Sequence, residues 1–236
     1  MMVSNSEAFR KDARRKGGYQ YTTDPSLSSV LANRRLSQAT LEIADFTNKR
    51  VLDIGCGDGT YTSELYDHGG PSELVGIDPV AEAVEVARQR GGRRHLTWVV
   101  GSTYGLPFTR NRFDIAYLRG VLHHLDHPKE ALREAFRVAR CLVVIEPNGY
   151  NPGLKLLERF SPYHVEHGEK SYCPGKVDSW IRSLGGSVKK RRFVGLVPMF
   201  CPDWVAGSLK RIEPALEAMP LARMIGCAVY VFRAER

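Results

Sequence analysis

Residues 51–60 read V-L-D-I-G-C-G-D-G-T, and this stretch decides the fold. The apolar residues at its start are typical of a buried strand. The strand ends in three glycines at alternate positions, Gly55, Gly57 and Gly59, and a helical pattern begins at Thr60. Glycine lets the backbone turn tightly and lets a ligand approach the main chain, where a Cβ would collide. The stretch therefore predicts a ligand-binding turn between a strand and a helix whose first N–H groups face the ligand.

The spacing of the glycines distinguishes between two classes of nucleotide ligand. In the dinucleotide fingerprint G-x-G-x-x-G, the pyrophosphate lies on the helix N-terminus. Here the third glycine comes one position early, Thr60 stands where that fingerprint has glycine, and Asp53 lies within the strand. The stretch instead resembles the S-adenosylmethionine-binding sequence of the class I methyltransferases, in which a strand with Asp or Glu precedes G-x-G-x-G. A plain strand–helix turn without a ligand is the alternative.

The rest of the chain predicts the fold class. From residue 50 to 146 strand and helix patterns alternate, which indicates a parallel, doubly wound sheet. Further strand patterns follow at 187–194 and 227–232, and helical patterns at about 176–184 and 204–219. With the resemblance to the class I methyltransferases, they imply an α/β, Rossmann-like, mostly parallel seven-stranded sheet with helical lid insertions, closed by an antiparallel strand at 227–232.

The same patterns predict how the chain is organised. Residues 1–18 are polar, basic and without periodicity, so we expect a disordered or frayed segment. Residues 19–45 contain a helix that would form an N-terminal lid region. Residues 46–236 would form the methyltransferase domain, with lid insertions at about 150–185 and 197–225.

Composition limits the functional classes. The chain has 236 residues, 43% of them apolar, which suits one domain with a full core. No apolar run approaches the ~20 residues of a membrane span, and the first residues lack the apolar segment of a signal peptide. Five cysteines without a C-x-x-C pair indicate reduced thiols. We therefore expect a cytoplasmic protein with no metal site. A net charge of +8 suits a solvated basic surface, an anionic substrate or RNA.

Functional residues are expected just after the strands, because ligands of a doubly wound sheet lie at the strand carboxyl ends. Asp78 ends the second strand pattern, where a carboxylate can accept hydrogen bonds from both ribose hydroxyls of a nucleoside. The alternative is an acidic residue that stabilises the start of the next helix through the helix dipole.

Two further segments specify the resemblance. The third strand leads into G-S-T-Y-G-L-P-F at 101–108, and the fourth begins with F-D and leads into R-G-V-L-H-H-L at 119–125. These resemble the small-molecule branch of the class I methyltransferases, similar to the ubiquinone and menaquinone methyltransferases, whose usual sequence is G-D-A-x-x-L-P-F, then F-D, then L-H-H-L. The resemblance covers about residues 50–148. It implies S-adenosylmethionine as cofactor and S-adenosylhomocysteine as product.

The resemblance also implies the cofactor contacts. Gly55 and Gly57 would contact the methionine end, and Asp78 would contact the ribose. The other residues implied at the cofactor are Asp53, Cys56, Pro79, Ser102, Thr103 and Arg119. Ser102 departs from the family, which usually has an aspartate there, so the adenine contact could shift to a backbone carbonyl or a water. The P-G-G turn common before the fifth strand is also missing.

Methyl transfer needs a positioned nucleophile and, for a hydroxyl acceptor, a base. His123 and His124 follow the fourth strand and are the candidate catalytic residues, with His124 favoured slightly. Packing or capping histidines are the alternative. Arg119 would bind a carboxylate of cofactor or substrate, or pair with a structural acid, because a guanidinium beside a sulfonium needs an anion nearby.

The acceptor site is expected under the lids. Aromatic and histidine side chains there are the candidate substrate contacts: Tyr19, Tyr21, His164, His167, Tyr172 and Trp204. We expect a small or medium acceptor, acidic or phenolic, methylated at oxygen or nitrogen in a closed pocket. An RNA methyltransferase that uses the basic surface is the main alternative, although residues 118–121 lack the (Asn/Asp)-Pro-Pro-aromatic sequence of base amino-methylating enzymes. A non-catalytic cofactor-binding partner subunit is the third possibility.

Overall fold

A computed structural model describes residues 18–91, 96–160, 170–199 and 201–236. Seven strands form one sheet in the order β3-β2-β1-β4-β5-β7-β6, and β7 runs antiparallel to both neighbours. The strands are β1 Arg50–Ile54, β2 Glu73–Asp78, β3 Leu96–Val100, β4 Phe113–Arg119, β5 Ala139–Pro147, β6 Ser187–Val194 and β7 Val229–Glu235. The predicted Rossmann-like, mostly parallel sheet with a final antiparallel strand is confirmed.

Nine α-helices and one 3₁₀ turn lie in the described residues. The α-helices are α1 Gln20–Thr23, α2 Leu27–Ile43, α3 Thr60–Gly69, α4 Ala81–Gly91, α5 Pro128–Val138, α6 Pro152–Phe160, α7 Pro174–Ser183, α8 Asp203–Ala218 and α9 Pro220–Gly226. The 3₁₀ turn covers Leu122–His124. Within these residues no helix combines the length and the apolarity that crossing a bilayer requires.

Two boundaries differ from the sequence predictions for local reasons. The helix expected from residue 204 to 219 is followed by a second one, because Pro220 cannot continue a helix but suits the first turn of a new one. The last strand starts and ends later than expected and includes Arg233–Glu235. These three residues belong to the sheet because they pair with both β5 and β6.

The core lies on both faces of the sheet. One cluster includes Leu52 and Leu118 and packs against α5 and α7, and the other includes Ile43 and Val51 beneath α2. The direction of strand order reverses between β1 and β4, the neighbours at the centre. In a doubly wound sheet, such a reversal opens a crevice at the strand carboxyl ends, where ligands bind.

Candidate cofactor and methyl-transfer site

The glycine turn after β1 has the backbone conformation that its sequence predicts. Gly55, Gly57 and Gly59 have φ values of 79°, 55° and 75°, which other L-residues rarely adopt. A Cβ on Gly55 would lie 2.6 Å from a methyl carbon of Val121, so glycine is also needed for packing. The turn is held to β2 because Ile77 O accepts hydrogen bonds from the N–H groups of Gly55 and Cys56, at 2.8 and 3.1 Å.

Asp78 connects the glycine turn to the end of β2. One carboxylate oxygen accepts the N–H of Gly57 at 2.9 Å, and the other accepts the N–H of Val80 at 2.8 Å. Burial raises the pKa of Asp78 to about 6, and these two hydrogen bonds act in the opposite direction. The carboxylate thus lies where the nucleoside contact was predicted, and it also holds the turn.

A short N-terminal segment covers the same turn. Tyr19 is buried, and a Cβ on Gly57 would meet its ring at 2.6 Å. Asp58 holds this segment, because one of its oxygens accepts from Tyr19 N at 3.2 Å and from Thr22 Oγ1 at 2.6 Å. The same oxygen pairs with Arg90 at 3.1 Å. Tyr19 therefore lies against the proposed cofactor contacts, whereas the sequence suggested an acceptor contact.

Asp53 lies in β1 as a second buried carboxylate. Its Oδ2 accepts the hydroxyl of Thr62 at 2.6 Å. Burial raises the pKa of Asp53 to about 7, while the Thr62 hydrogen bond and the positive charge of Arg119 lower it. Asp53 thus links β1 to α3 beneath the glycine turn.

Arg119 joins the site to the N-terminal helix. Its guanidinium donates to Ser37 Oγ at 2.9 Å and to Asn33 Oδ1 at 3.2 Å, both in α2. It also stacks on Tyr61, 3.5 Å from the ring centroid. These contacts hold the cation at the end of β4 without a direct ion pair to any described carboxylate. Neither of the two roles predicted for Arg119 is tested by these contacts.

His123 and Glu146 form a buried pair at the ends of β4 and β5. Nδ1 of His123 lies 2.8 Å from Glu146 Oε2. The other carboxylate oxygen accepts the N–H groups of Val121 and Leu122, at 2.8 and 2.7 Å. This contact to a carboxylate orients the imidazole ring of His123.

His124 and Tyr172 lie around this pair. The ring of His124 is half-buried and its centroid lies 3.9 Å from that of His123. Tyr172 packs edge-on against Trp180, and its pKa is raised by burial and by the negative charge of Glu146. The site residues predicted after β4 and β5 therefore meet at the carboxyl ends of these two strands.

The other residues predicted at the cofactor differ in their exposure to solvent. Thr103 and Cys56 are buried, whereas Pro79 and Ser102 are exposed, and the Ser102 hydroxyl accepts the N–H of Tyr104 at 3.2 Å. The backbone carbonyl of Tyr21 accepts from the side chains of Asn33 and Tyr61, at 2.9 and 3.2 Å.

The other predicted substrate contacts are Trp204, His164 and His167. Trp204 does not make the expected substrate contact, because α8 directs that side chain outward into solvent, where it is 76% exposed. His164 and His167 lie outside the described residues.

A cavity of about 550 Å³ lies at the other end of the strands from this site. It lies between α5 and the loop after α7, and its lining includes Arg110, Arg133, Arg137 and Arg236. This arginine-rich cavity is therefore separate from the acceptor pocket that the sequence predicts beneath the lids.

Sequence reasoning missed three residues at the site. Glu146 ends β5 and could have been identified because parallel strand ends share one edge of a sheet. Asp58 lies inside the quoted glycine stretch but acts on Tyr19, far away in the chain. Tyr61 looked like an ordinary helix residue before its stacking on Arg119 was known.

The site fits S-adenosylmethionine in its residue chemistry. A Cβ at any of the three turn glycines would collide with a neighbouring side chain: Val121 at Gly55, Tyr19 at Gly57 and Trp98 at Gly59. Asp78 retains lone pairs for hydroxyl donors beyond the two N–H groups that it accepts. Gly55, Gly57 and Asp78 would hold the methionine and ribose ends.

Comparison with known proteins agrees with this site. Residues 52–141 match the methyltransferase domain family. The chain is 34% identical over 110 residues to an uncharacterized methyltransferase of Schizosaccharomyces pombe, a match that covers 43% of this chain and 37% of that protein. It is 26% identical over 190 residues to the ubiquinone/menaquinone biosynthesis C-methyltransferase UbiE of a Ruegeria species, covering 75% of this chain and 76% of that protein. For most of the curated relatives, the chain spans about half of their length or less.

A solved structure confirms the fold. The magnesium protoporphyrin IX methyltransferase of Synechocystis, determined with bound S-adenosylhomocysteine, superimposes with a TM-score of 0.64 at 15% identity and covers 98% of this chain and 95% of that one. The cofactor of the protein is S-adenosylmethionine. The glycine turn, the strand order and the family match together lead to one conclusion: residues 52–141 match the methyltransferase domain family, and the chain as a whole resembles the class I S-adenosylmethionine-dependent methyltransferases.

Proposed function

We propose that the protein transfers the methyl group of S-adenosylmethionine to an oxygen or nitrogen atom of a small or medium-sized acceptor. The single observation that carries this proposal is the His123–Glu146 pair beside the glycine turn. Bound S-adenosylmethionine supplies an activated methyl group on a sulfonium. The protein then has to hold the acceptor in line and to remove a proton where the acceptor has one.

His123 is the proposed general base. Glu146 fixes the tautomer in which Nε2 can take a proton, and it stabilises the imidazolium that results. Since three main-chain N–H groups hold the carboxylate in place, the imidazole needs little reorganisation during the reaction. This assignment differs from the sequence-based preference for His124, because the contact to Glu146 is made by the ring of His123.

His124, Tyr172 and Arg119 are the proposed acceptor-side groups. His124 lies against the base, and Tyr172 lies near Glu146. The guanidinium of Arg119 could attract an acidic or phenolic acceptor, because a cation lowers the free energy of a bound anion in a partly buried site. An acceptor of that type gives up a proton readily to a histidine near neutral pH.

The acceptor pocket is proposed to close over the bound acceptor. The segment from Gly18 to Thr23 already covers the glycine turn, and the insertion after β5 begins beside the His123–Glu146 pair. A closed site suits a small molecule better than a polymer. We also propose a cytoplasmic protein, because the cysteines in the described residues are free thiols.

A transfer assay tests this proposal. The protein is incubated with S-adenosylmethionine labelled in the methyl group, in parallel with a metabolite extract, a lipid extract and bulk RNA. Label should enter a small-molecule fraction and be lost with His123→Ala. Label that enters RNA alone would replace the proposal with the RNA alternative, and no transfer despite cofactor binding would favour a non-catalytic partner subunit.

A further inference from the structure

The large apolar side chains that solvent reaches are concentrated in one part of the chain. Across the described residues, the exposed large hydrophobic side chains between residues 156 and 225 outnumber those in the rest of the chain. They are Leu156, Leu157, Phe160, Trp204, Ile212, Met219, Leu221, Met224 and Ile225. They belong to α6, α8, α9 and the residue between the last two helices. Contiguous exposed apolar surface of this kind marks a binding surface for another molecule.

Helix α6 turns its apolar side chains toward solvent and its charged side chains toward the protein. Leu156 and Phe160 lie one turn apart on its outer side and are 62% and 68% exposed. The charged residues of the inner side bond to the protein: Lys155 donates to Ser171 O at 2.7 Å, and Glu158 accepts from Ser171 N at 2.7 Å. An ordinary surface helix faces its apolar side to the core and its charges to water. This helix does the opposite, so an apolar environment on its outer side would stabilise it.

The same reversal occurs in α8. Trp204 and Ile212 are 76% and 55% exposed, whereas Glu213 is 2% exposed. Glu213 pairs with Lys210 and accepts the N–H of Leu196 at 2.9 Å. The buried carboxylate of this helix is therefore satisfied internally, and its exposed residues include Trp204, Arg211 and Ile212 together with Asp203 and Ser208. Two helices with the same unusual polarity indicate a selected surface rather than scattered exposed residues.

The reversed helices adjoin one another. Asn151, directly before α6, donates to Gly226 O at the end of α9 at 3.0 Å. Asn148 donates to Met224 O in α9 at 2.8 Å. Helices α8 and α9 are consecutive, separated by the exposed Met219. We name the outer side of α6, α8 and α9 the apolar face.

We propose that the apolar face docks the protein onto an anionic lipid bilayer. Arg159 and Arg211 lie on α6 and α8, are exposed, and have no carboxylate partner among the described residues. Apolar side chains that enter the acyl boundary, a tryptophan at the headgroups and arginines that meet anionic lipids are the features of an interfacial surface. The basic rim and the net charge of +8 oppose a second copy of the chain as the occupant.

The apolar face is next to the methyl-transfer site. Glu217 of α8 pairs with Arg35 of α2 at 2.7 Å, and Ser37 of the same helix accepts from Arg119 at the site. On its other side, α6 follows within a few residues of Glu146. A protein docked through this face would hold the mouth of its site close to the bilayer. The docking itself does not depend on the proposed function.

Vesicle flotation tests the proposal with the full chain and without any methyl acceptor. Vesicles of phosphatidylcholine with phosphatidylglycerol are compared with vesicles of phosphatidylcholine alone. The protein should float with the anionic vesicles, less so at high salt. Leu156→Ser/Phe160→Ser and Trp204→Ser should each weaken the apparent affinity, the double variant by about tenfold or more because two large apolar side chains are lost. Val100→Ser, at the far edge of the sheet, is the matched control and should bind as the wild type does.

Each contrary outcome rejects the docking proposal. The wild-type protein could remain at the bottom of the gradient with anionic vesicles, or the double serine variant could float as well as the wild type. A vesicle-independent dimer that Leu156→Ser/Phe160→Ser dissociates would assign the apolar face to a second copy instead. Far-UV circular dichroism verifies that each variant is folded, which is expected because the altered side chains are exposed.

Discussion

Nδ1 of His123 lies 2.8 Å from Glu146 Oε2, and both side chains are buried where β4 and β5 end. The two residues are far apart in the chain and meet only because the strands are parallel neighbours. The carboxylate sets the tautomer of the imidazole. His123 of this pair is the proposed base, where the sequence had offered two adjacent histidines.

The first prediction separates those histidines. His123→Ala should lower turnover by about 10²-fold or more, the usual contribution of a general base. Its affinity for S-adenosylmethionine should remain that of the wild type, because the contacts proposed for the cofactor lie on Gly57 and Asp78. His124→Ala is the matched variant and should lower turnover less. Single-turnover rates and calorimetric dissociation constants measure both quantities, and the reverse order of the two variants would restore His124 as the base.

Glu146 is predicted to act through His123. Glu146→Gln should lower turnover and shift the acidic limb of the pH–rate profile to lower pH, because the imidazolium loses its stabilising carboxylate. A purely structural role would lower the amount of folded protein without moving that limb. An unshifted profile in a folded Glu146→Gln variant would contradict the assignment.

The affinity for the cofactor should depend on pH through Asp78. Its pKa is raised to about 6 by burial, so it is ionised above that pH and protonated below it. Only the ionised carboxylate accepts charge-assisted hydrogen bonds from both ribose hydroxyls. Affinity should therefore be constant above about pH 7 and fall as the pH decreases through 6. Calorimetry across this range measures the dependence.

Asp78→Asn is the control for that measurement. The variant should bind S-adenosylmethionine more weakly, with an affinity nearly independent of pH over the same window. A wild-type affinity that stays constant down to pH 5 would contradict the ribose assignment of Asp78.

Stability should also depend on pH, through Asp53. Burial raises the pKa of Asp53 to about 7, above the unfolded value of about 3.9. Between these values the folded protein binds more protons than the unfolded chain, so this group's contribution to stability falls as pH rises from 4 to 7. Asp53→Asn should therefore be more stable than the wild type at pH 8, by on the order of 1 kcal/mol or more. Denaturant titrations at pH 5 and 8 measure the difference, and equal differences at both values would refute it.

The glycine turn offers a steric test with an internal control. Gly57→Ala places a Cβ 2.6 Å from the ring of Tyr19 at a φ of 55°. Gly70→Ala has a similar φ of 62° but nothing within 4 Å. Both substitutions carry the left-handed conformational cost of about 1–2 kcal/mol. Only Gly57→Ala should also displace Tyr19 and weaken cofactor binding, as hydrogen exchange of residues 18–23 and calorimetry would measure. Equal effects on binding would contradict this account of the turn.

The sequence predicted the parts of the fold that depend on local chemistry. The glycine turn, the strand carboxyl ends and the position of Asp78 follow from short-range patterns, because backbone freedom and strand burial are encoded residue by residue. The final antiparallel strand followed from the resemblance to the class I methyltransferases. Its later start and end could not be predicted, because they depend on pairing with β5 and β6.

The contacts that define the site required the tertiary structure. Asp58 bonds to Tyr19, and Glu146 bonds to His123, across separations that no local pattern reveals. In helix α8, the feature that could not be predicted is which side of the helix is buried. Its apolar residues have helical spacing, which usually means burial in the core, yet Trp204 faces outward while Glu213 is buried. Periodicity gives the two sides of a helix but not which of them the protein covers.

The most direct test of the central claim is a crystal structure of the protein with S-adenosylhomocysteine and a phenolic acceptor analogue. The account predicts that the ribose hydroxyls bond to Asp78 and that the sulfur faces an acceptor atom beside Nε2 of His123. The acceptor oxygen should lie about 3 Å from the imidazole, within hydrogen-bonding reach of a general base. A ligand bound away from the glycine turn, or protein atoms that separate His123 from the acceptor, would contradict the claim.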